Sequence, residues 1–225
     1  MNIAPKIALI GKTGVGKTST INSLFNTKLT ISHTEACTQK SEPITLSNGK
    51  GKLIVYDMPG LGEDLEKDEY HKETYKNILP ECDVILWVLN IEDREMSFQQ
   101  TLLKEILSYY HSKLVICANR SDIIFPNDWN EKINLPSEEQ LENLTKRISD
   151  IRNKLCKIVV GLKEDRIVFY SALKRYKLQE LFGAMLEACP DNMASVLKER
   201  GDLADFKELI DPEILKEYSN ARKKR

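Results

Sequence analysis

Short apolar runs alternate along this chain with longer segments in which apolar residues recur at helical spacing. The short runs predict six strands, at 6–10, 42–46, 52–57, 83–89, 113–118 and 166–170, and the longer segments predict helices at 17–26, 66–78, 97–110, 138–160 and 176–188. Two runs, VILWVL and KLVICA, are apolar at almost every position, which is typical of strands covered on both faces. The alternation predicts an α/β protein of three layers, with a mostly parallel six-stranded sheet between helices.

Local signals refine this outline at three places. Asn48 and Gly49, between the second and third strands, are a hairpin signal, so one strand should run antiparallel at an edge of the sheet. Ser137 follows a long loop and is expected to cap the next helix. From Pro190 onward the pattern is helical again. We therefore divide the chain into a domain at 1–189 and a helical C-terminal extension at 190–225, which either packs on the core or leads into another domain.

Composition narrows the functional classes. The 225 residues carry a formal net charge of −1, so no overall field favours nucleic acid or an acidic membrane. The five cysteines lie far apart without a C-x-x-C pair, which indicates free thiols in a reducing compartment. The first strand begins close to Met1, and no apolar run approaches the roughly 18 residues that span a bilayer. We therefore expect a cytoplasmic protein with no signal peptide and no transmembrane segment.

The sequence GKTGVGKT, residues 11–18, lies between the first strand and the first helix and fits the pattern G-x-x-x-x-G-K-[ST]. Glycines such as Gly11 and Gly16 allow backbone N–H groups to surround an oxyanion at the positive end of the following helix. Lys17 suits the β- and γ-phosphates of a nucleotide, and the Thr18 hydroxyl suits Mg²⁺. The pattern predicts a nucleoside triphosphate site; the alternative is a glycine-rich turn followed by Lys and Thr by chance.

Two further motifs follow predicted strands. Asp57 ends the third strand, and its carboxylate is placed to hold the water shell of Mg²⁺ while the N–H of Gly60 meets a γ-phosphate. In ICANRSD, Asn119 and Asp122 follow the fifth strand. A carboxylate there accepts hydrogen bonds from N1–H and N2–H of guanine, and adenine has no donor at either position. The alternative is a turn in which Asn and Asp cap the chain locally.

Ser171 and Ala172 follow the last predicted strand, where a backbone N–H would face guanine O6. Together these motifs resemble the P-loop GTPases, specifically the Era/TrmE-like branch of the translation-factor class. The run CTQ…VYDMPGLGED…LPECDVILWVLNIEDR is similar to YfjP/YeeP-like GTPases with a 50S ribosome-binding GTPase domain. The resemblance covers about residues 5–188 and makes 1–189 the expected GTPase domain.

The resemblance implies hydrolysis of GTP to GDP and phosphate, with Mg²⁺ as cofactor. It also implies a conformational switch that acts on an effector, which could be a protein, the ribosome, a membrane or a second copy of the chain bound through the nucleotide face. Thr38, twenty residues after Thr18, is the expected switch threonine that closes on Mg²⁺ and the γ-phosphate, and Thr34 is the competing candidate.

Single residues receive roles from the same resemblance. The expected catalytic residues are Lys17, Thr38 and Gly60, and the expected magnesium ligands are Thr18, Thr38 and Asp57. The expected nucleotide-binding residues are Gly11, Thr13, Gly14, Val15, Gly16, Lys17, Thr18 and Ser19 in the phosphate loop, Asn119, Arg120 and Asp122 after the fifth strand, and Ser171, Ala172 and Leu173 after the sixth.

Three positions depart from the family pattern. Leu61 stands where Ras carries the glutamine that orients the attacking water, so unaided hydrolysis should be slow; Glu63 and Asp64 lie nearby but more simply cap the next helix. Gly14 stands where several Era/TrmE-like members have an asparagine that helps to hold K⁺, which argues against potassium activation. Arg120 replaces the lysine of N-K-x-D and has a comparable stem, so guanine preference should survive with altered affinity.

The leading hypothesis is a GTP-hydrolysing switch whose loops around Thr38 and Gly60 respond to the γ-phosphate. A second hypothesis, motivated by Leu61 and Gly14, is a nucleotide-binding scaffold or oligomerisation module with little hydrolysis. A third, an ATP-driven enzyme such as a kinase, leaves the NRSD motif unexplained and has no support in the sequence.

Overall fold

The computed structural model describes residues 4–25, 43–48, 51–62, 65–94, 96–159 and 161–200. Six strands form one sheet: β1 (Lys6–Ile10), β2 (Pro43–Asn48), β3 (Gly51–Asp57), β4 (Val84–Asn90), β5 (Leu114–Asn119) and β6 (Ile167–Phe169). Their order across the sheet is β2-β3-β1-β4-β5-β6. β2 pairs antiparallel with β3, and the other neighbours pair in parallel, which confirms the predicted sheet with one antiparallel edge strand. Asn48 pairs with Gly51 at the predicted hairpin, and Gly49 lies outside the described residues.

Helices cover both faces of this sheet. Within the described residues they are α1 (Lys17–Phe25), α2 (Leu65–Ile78), α3 (Ser97–Glu105), α4 (Glu138–Leu155), α5 (Leu178–Ala188) and α6 (Asp191–Arg200). The helices α1, α5 and α6 contribute to one apolar cluster, and α2, α3 and α4 contribute to another. In β1, Ile7 and Leu9 belong to the first cluster and Ala8 and Ile10 to the second. The central strands β1, β4 and β5 are therefore buried on both faces, whereas the edge strand β2 is partly exposed, and the predicted three-layer fold is confirmed.

Helix ends show what the hydrophobic pattern can and cannot locate. The Ser137 hydroxyl accepts a hydrogen bond from the backbone N–H three residues later at 3.1 Å, as predicted for the N-cap of α4. The helix predicted at 97–110 instead ends at Glu105 and continues as a 3-10 turn over Leu107–Lys113, where Ser, Tyr and His have weak helix propensity. The helix predicted at 138–160 ends at Leu155, before β-branched residues and Gly161.

Helix α6 extends the core beyond the last predicted helix. It packs against β3 and α5, and its Leu197 is fully buried. Residues 191–200 therefore add to the cluster that also contains α1 and α5, while 201–225 lie outside the described residues. The division at 189 and 190 stays a prediction. Across the described ranges, no helix combines the length and the apolar character that crossing a bilayer requires.

Four of the five cysteines lie in described positions, and each has a free thiol. Cys82, Cys117 and Cys189 are buried, and burial raises the pKa of Cys82 to about 12 and that of Cys189 to about 11. These thiols stay protonated at neutral pH and pack as small apolar residues.

A substitution at Leu197 measures how much α6 contributes to the fold. Leu197→Ala should lower the free energy of unfolding by about 2–4 kcal/mol, because it removes buried methyl groups and leaves a cavity against the sheet. Urea unfolding of the nucleotide-free protein measures the effect, with Lys198→Ala on the exposed side of α6 as the control. Equal midpoints for the two variants would mean that α6 does not pack as described.

Candidate nucleotide-binding site

The predicted site residues follow the carboxyl ends of four strands. The parallel strands β1, β3, β5 and β6 all end at the same edge of the sheet, where α/β proteins bind ligands. The order of the strands changes direction at β1, whose neighbours are β3 and β4, and the glycine-rich loop leaves β1 at that point. The topology thus brings together motifs that lie more than a hundred residues apart in the chain, such as those at Gly16 and Asn119.

The phosphate loop has the geometry of an anion-binding turn. Gly11, Gly14 and Gly16 have φ angles of 140°, 77° and 96°, and α1 begins directly afterwards at Lys17. A side chain at Gly16 would collide with the Asn119 amide, so the close approach of the two loops requires glycine there. The loop and the amino-terminal end of α1 together point backbone N–H groups and a positive helix dipole at one place.

The Lys17 side chain is held within the curve of this loop. Its ammonium group donates hydrogen bonds to the carbonyl oxygens of Gly11 and Lys12, each at 3.1 Å, and the residue is buried. The Lys12 backbone also forms a parallel bridge with Leu61, which joins the phosphate loop to the segment after β3. The ammonium group is therefore fixed beside the place where the loop would hold phosphates.

The half-buried Thr18 and the buried Asp57 form a polar pair. The Thr18 hydroxyl donates a 2.6 Å hydrogen bond to one oxygen of the Asp57 carboxylate, and the other oxygen is buried with no hydrogen-bond partner among the described residues. Burial raises the pKa of Asp57, while the hydrogen bond from Thr18 and the charge of Lys17 act in the opposite direction. An oxygen pair with an unsatisfied carboxylate oxygen fits Mg²⁺, which needs one or two protein oxygens besides phosphates and water.

The third predicted magnesium ligand, Thr38, and its competitor Thr34 lie outside the described residues. Across the described ranges, no group of three or more His, Cys, Asp or Glu side chains could hold a metal ion. A magnesium site of the predicted kind does not need such a group, because the nucleotide supplies most of its oxygen ligands.

Gly60 lies directly against the phosphate loop. A Cβ atom added to Gly60 would stand 2.6 Å from the backbone N of Thr13 and 2.9 Å from its Cα, so any larger residue would push the two segments apart. Leu61, the next residue, is fully buried in the core. The Leu61 side chain therefore cannot orient water at the phosphates, which gives a structural basis for the departure from the glutamine pattern.

Three side chains of α2 bind the backbone of the segment after β3, and the sequence analysis did not identify them. His71 contacts the Gly60 carbonyl through Nδ1 at 3.0 Å. Both carboxylate oxygens of Asp68 accept hydrogen bonds from the Gly62 N–H at 2.9 Å. The Tyr75 hydroxyl donates to the Pro59 carbonyl at 2.9 Å. The spacing of these three residues on one helix face was the available signal. They fix the backbone on both sides of Gly60.

Asn119 joins the phosphate loop to the loop after β6. Its side-chain amide donates to the Val15 carbonyl at 2.9 Å, and its oxygen accepts from the Ala172 N–H at 3.0 Å. Arg120 adopts a left-handed backbone conformation, with φ at 67°, and its guanidinium donates to the Gly14 carbonyl. Gly14 and Arg120, which both depart from the family pattern, are therefore joined by a hydrogen bond. The arginine thus links the base-binding motif to the phosphate loop.

Asp122 lies at the wall of a cavity of about 540 Å³, a size that suits a small ligand. The cavity is lined by Gly16, Ser19, Asn22, Ser23, Asn119, Arg120, Asp122, Ile123, Ala172, Leu173 and Arg175. Asp122 is 5% exposed, and one of its carboxylate oxygens is buried without a hydrogen-bond partner in the described part of the chain. An unsatisfied carboxylate oxygen next to an open cavity is the arrangement that a donor edge of guanine would complete.

The loop after β6 is more constrained than the sequence indicates. The Ser171 N–H donates to the Tyr176 carbonyl at 3.1 Å, and the Ala172 N–H is used by Asn119, so both amides already have acceptors. Leu173 lines the cavity and is 79% exposed. The contact from this loop to guanine O6 stays a prediction.

The cavity also contains residues that the sequence analysis missed. Ser23 donates to the Ala172 carbonyl at 2.8 Å, and Arg175 donates to the Ser23 carbonyl at 2.8 Å. Asn22 and Ser23 follow Ser19 by three and four residues, so helical spacing places them on one face of α1. That spacing was a usable signal, whereas Arg175 comes into place only through the turn after β6.

The chain is similar to known GTPases in sequence. Residues 6–120 match the family described as 50S ribosome-binding GTPase. YfjP of Escherichia coli K12 is 30% identical over 146 residues, which are 64% of this chain and 50% of YfjP. GTPase Era of Aquifex aeolicus is 25% identical over 190 residues, which are 82% of this chain and 56% of Era. The chain thus spans about half the length of these curated relatives.

The fold is also found among solved structures. Era in complex with MgGDPNP and a segment of 16S ribosomal RNA aligns with a TM-score of 0.64 and 23% identity, over 84% of this chain and 57% of the Era chain. This likeness shows that the two proteins share a fold.

The raised pKa of Asp57 predicts that the free energy of unfolding of the nucleotide-free protein depends on pH. Because the folded carboxyl keeps its proton to higher pH than the unfolded one, stability falls as pH rises from the ordinary value of 3.8 through the raised value. Asp57→Asn keeps an acceptor for Thr18 and removes the buried charge, so its gain in stability over the wild type should be larger at neutral than at acidic pH. Urea unfolding across this range measures the difference, with the exposed Asp165→Asn as the control. A gain that does not vary with pH would contradict the assignment.

Proposed function

Because the chain belongs to the 50S ribosome-binding GTPase family, we propose that it binds GTP and hydrolyses it to GDP and phosphate with Mg²⁺. The observation that carries this proposal is the convergence of three features at one sheet edge. They are the glycine-rich loop with Lys17, the Thr18–Asp57 pair, and Asp122 at the wall of the cavity. The phosphate loop, the magnesium ligands and the base-reading carboxylate thus have the relative order that a guanine nucleotide requires.

Guanine selection rests on Asp122. Its carboxylate accepts from N1–H and N2–H of the base, and a purine without these donors leaves the buried carboxylate oxygen unpaired. Asn119 and Arg120 support this contact indirectly, because they tie the base-reading segment to the Val15 and Gly14 carbonyls of the phosphate loop. The phosphates and the base are then held by one connected set of hydrogen bonds.

Hydrolysis is an attack of water on the γ-phosphorus, in which the bond to the β–γ bridging oxygen breaks and the water proton leaves with phosphate. Lys17 is positioned to neutralise charge that develops on the phosphates, and the Gly60 N–H donates to a γ-phosphate oxygen. When bound, Mg²⁺ supplies further charge neutralisation, and Thr18 and Asp57 are the described residues that would hold it.

Turnover by the isolated chain should be slow, because the buried Leu61 provides no group that orients water. A second copy bound through the nucleotide face, or a partner, supplies that group in this proposal. The loops around Thr38 and Gly60 make the switch: both close on the γ-phosphate and open when it leaves. His71 and Asp68 connect the Gly60 segment to α2, so movement of that segment is transmitted to the helix.

The effector belongs to the same proposal. The Era structure contains ribosomal RNA and the family is described as ribosome-binding, so the ribosome is the first candidate, beside a second copy, another protein or a membrane. The free thiols support a cytoplasmic location. A competing function, a nucleotide-binding scaffold with little hydrolysis, is favoured by one observation, the burial of Leu61.

Base selection provides the first test. Asp122→Asn replaces one acceptor oxygen by a donor that faces the donor edge of guanine, so GTP and GDP affinity should fall at least about a hundredfold. Competition of GTP, GDP and ATP against a fluorescent guanine nucleotide measures it, and Asp165→Asn serves as a control for the change in charge. Equal binding of ATP and GTP to the wild-type protein would refute the role of Asp122.

Phosphate release separates the enzyme from the scaffold. We expect slow release from GTP that disappears in EDTA and in Lys17→Ala, while the exposed Lys163→Ala behaves as the wild type. Release that grows faster than linearly with protein concentration would indicate activation by a second copy. No release at any concentration, with normal nucleotide binding, would favour the scaffold.

A further inference from the structure

Residues 129–140, here called the brace segment, contact both loops that line the base side of the cavity. Asn134 donates its side-chain N–H to the Lys174 carbonyl at 2.8 Å, in the loop after β6. The Trp129 indole N–H donates to the Asn134 side-chain oxygen at 3.1 Å, which fixes the orientation of that amide. The Trp129 ring packs edge-on against Tyr176, with ring centroids 5.0 Å apart. Tyr176 in turn exchanges two backbone hydrogen bonds with Ser171.

The brace segment also holds this loop by charge. Lys174 forms an ion pair with Glu131 at 2.5 Å. Because the Glu131 side chain is largely exposed, this ion pair by itself stabilises the contact only slightly. Asn130 and Leu135 exchange backbone hydrogen bonds at 2.8 and 3.3 Å, which closes the segment into a compact turn. The contacts with the loop after β6 therefore come from a locally ordered structure.

The other end of the brace segment holds the Asp122 turn. Gln140 is fully buried, and its side-chain amide donates to the carbonyl oxygens of Asp122 and Ile124, each at 2.9 Å. Gln140 lies in the first turn of α4, whose N-cap is Ser137. A rigid helix end thus fixes the backbone that carries the base-reading carboxylate.

We propose that the brace segment is a positioning element for the guanine base, in which Asn134 and Gln140 set the distance between the Asp122 turn and the loop after β6. This inference rests on the proposed function and extends it to residues that do not touch the nucleotide. A loosened brace lets the two walls of the base site separate, so the nucleotide leaves faster. The hydrogen bonds of the brace segment go to the Asp122 turn and to the loop after β6, on the base side of the site, so the hydrolytic step on the phosphate side stays unchanged at saturating GTP.

The test compares two isosteric substitutions in the same loop. Asn134→Asp removes the donor to Lys174 but keeps the acceptor for Trp129, and Asn127→Asp introduces the same charge at an exposed residue. Both asparagines have positive φ, of 51° and 58°, so backbone strain is matched. The dissociation rate of a fluorescent GDP analogue, the kcat and KM for GTP, and the unfolding midpoint without nucleotide are measured for each.

Asn134→Asp should release the GDP analogue about five- to tenfold faster than Asn127→Asp, with KM raised and kcat unchanged. Equal dissociation from the two variants, or a fall in kcat with KM unchanged, would overturn the inference. Trp129→Phe keeps an aromatic ring against Tyr176 but loses the indole N–H that orients Asn134. It should therefore raise the dissociation rate of the GDP analogue, though less than Asn134→Asp does. An unchanged dissociation rate would also overturn the inference. Failure of the wild-type protein to bind the analogue would overturn the proposed function itself.

Discussion

The structure of the site depends on two hydrogen bonds made by one buried side chain. Asn119 is 3% exposed and binds the Val15 carbonyl on one side and the Ala172 N–H on the other. Both groups lie in loops, where no helix or strand pairs them. Without the Asn119 amide, the Val15 carbonyl and the Ala172 N–H would be buried without a hydrogen-bond partner. The geometry of the cavity follows from this constraint, because its two ends are loops that leave different strands.

The sequence was sufficient for the fold because the central strands of the sheet are buried on both faces. Runs such as VILWVL contain no polar position, so they are clearly identified as strands. The ends of each predicted strand agree with those of an observed strand within two residues. The antiparallel edge followed from the turn at Asn48. The ends of α3 and α4 were wrong by several residues because apolar spacing continues into segments that prefer tighter turns.

The structure brings predicted site residues together where the sequence carries a local motif, and their roles in binding stay a prediction. Gly16, Lys17 and Thr18 lie where the loop passes into α1, and their motif includes that strand–loop–helix context. Gln140, Arg175 and His71 lie outside such motifs. Each is defined by a contact outside its own element; for His71 the helical spacing with Asp68 and Tyr75 was a weak signal, whereas no periodicity indicates the contacts of Gln140 and Arg175. Residues around Thr38 lie outside the described part of the chain, so their role stays a prediction.

The two tryptophans have very different surroundings. Trp87 is 1% exposed in the middle of the sheet, within the apolar core. Trp129 stands against Tyr176 and donates to Asn134, in the segment that contacts the loop after β6. The chain therefore carries an internal optical probe of the loop after β6: the indole emission of Trp129 reports on that loop without any attached dye, while Trp87 emits from the core.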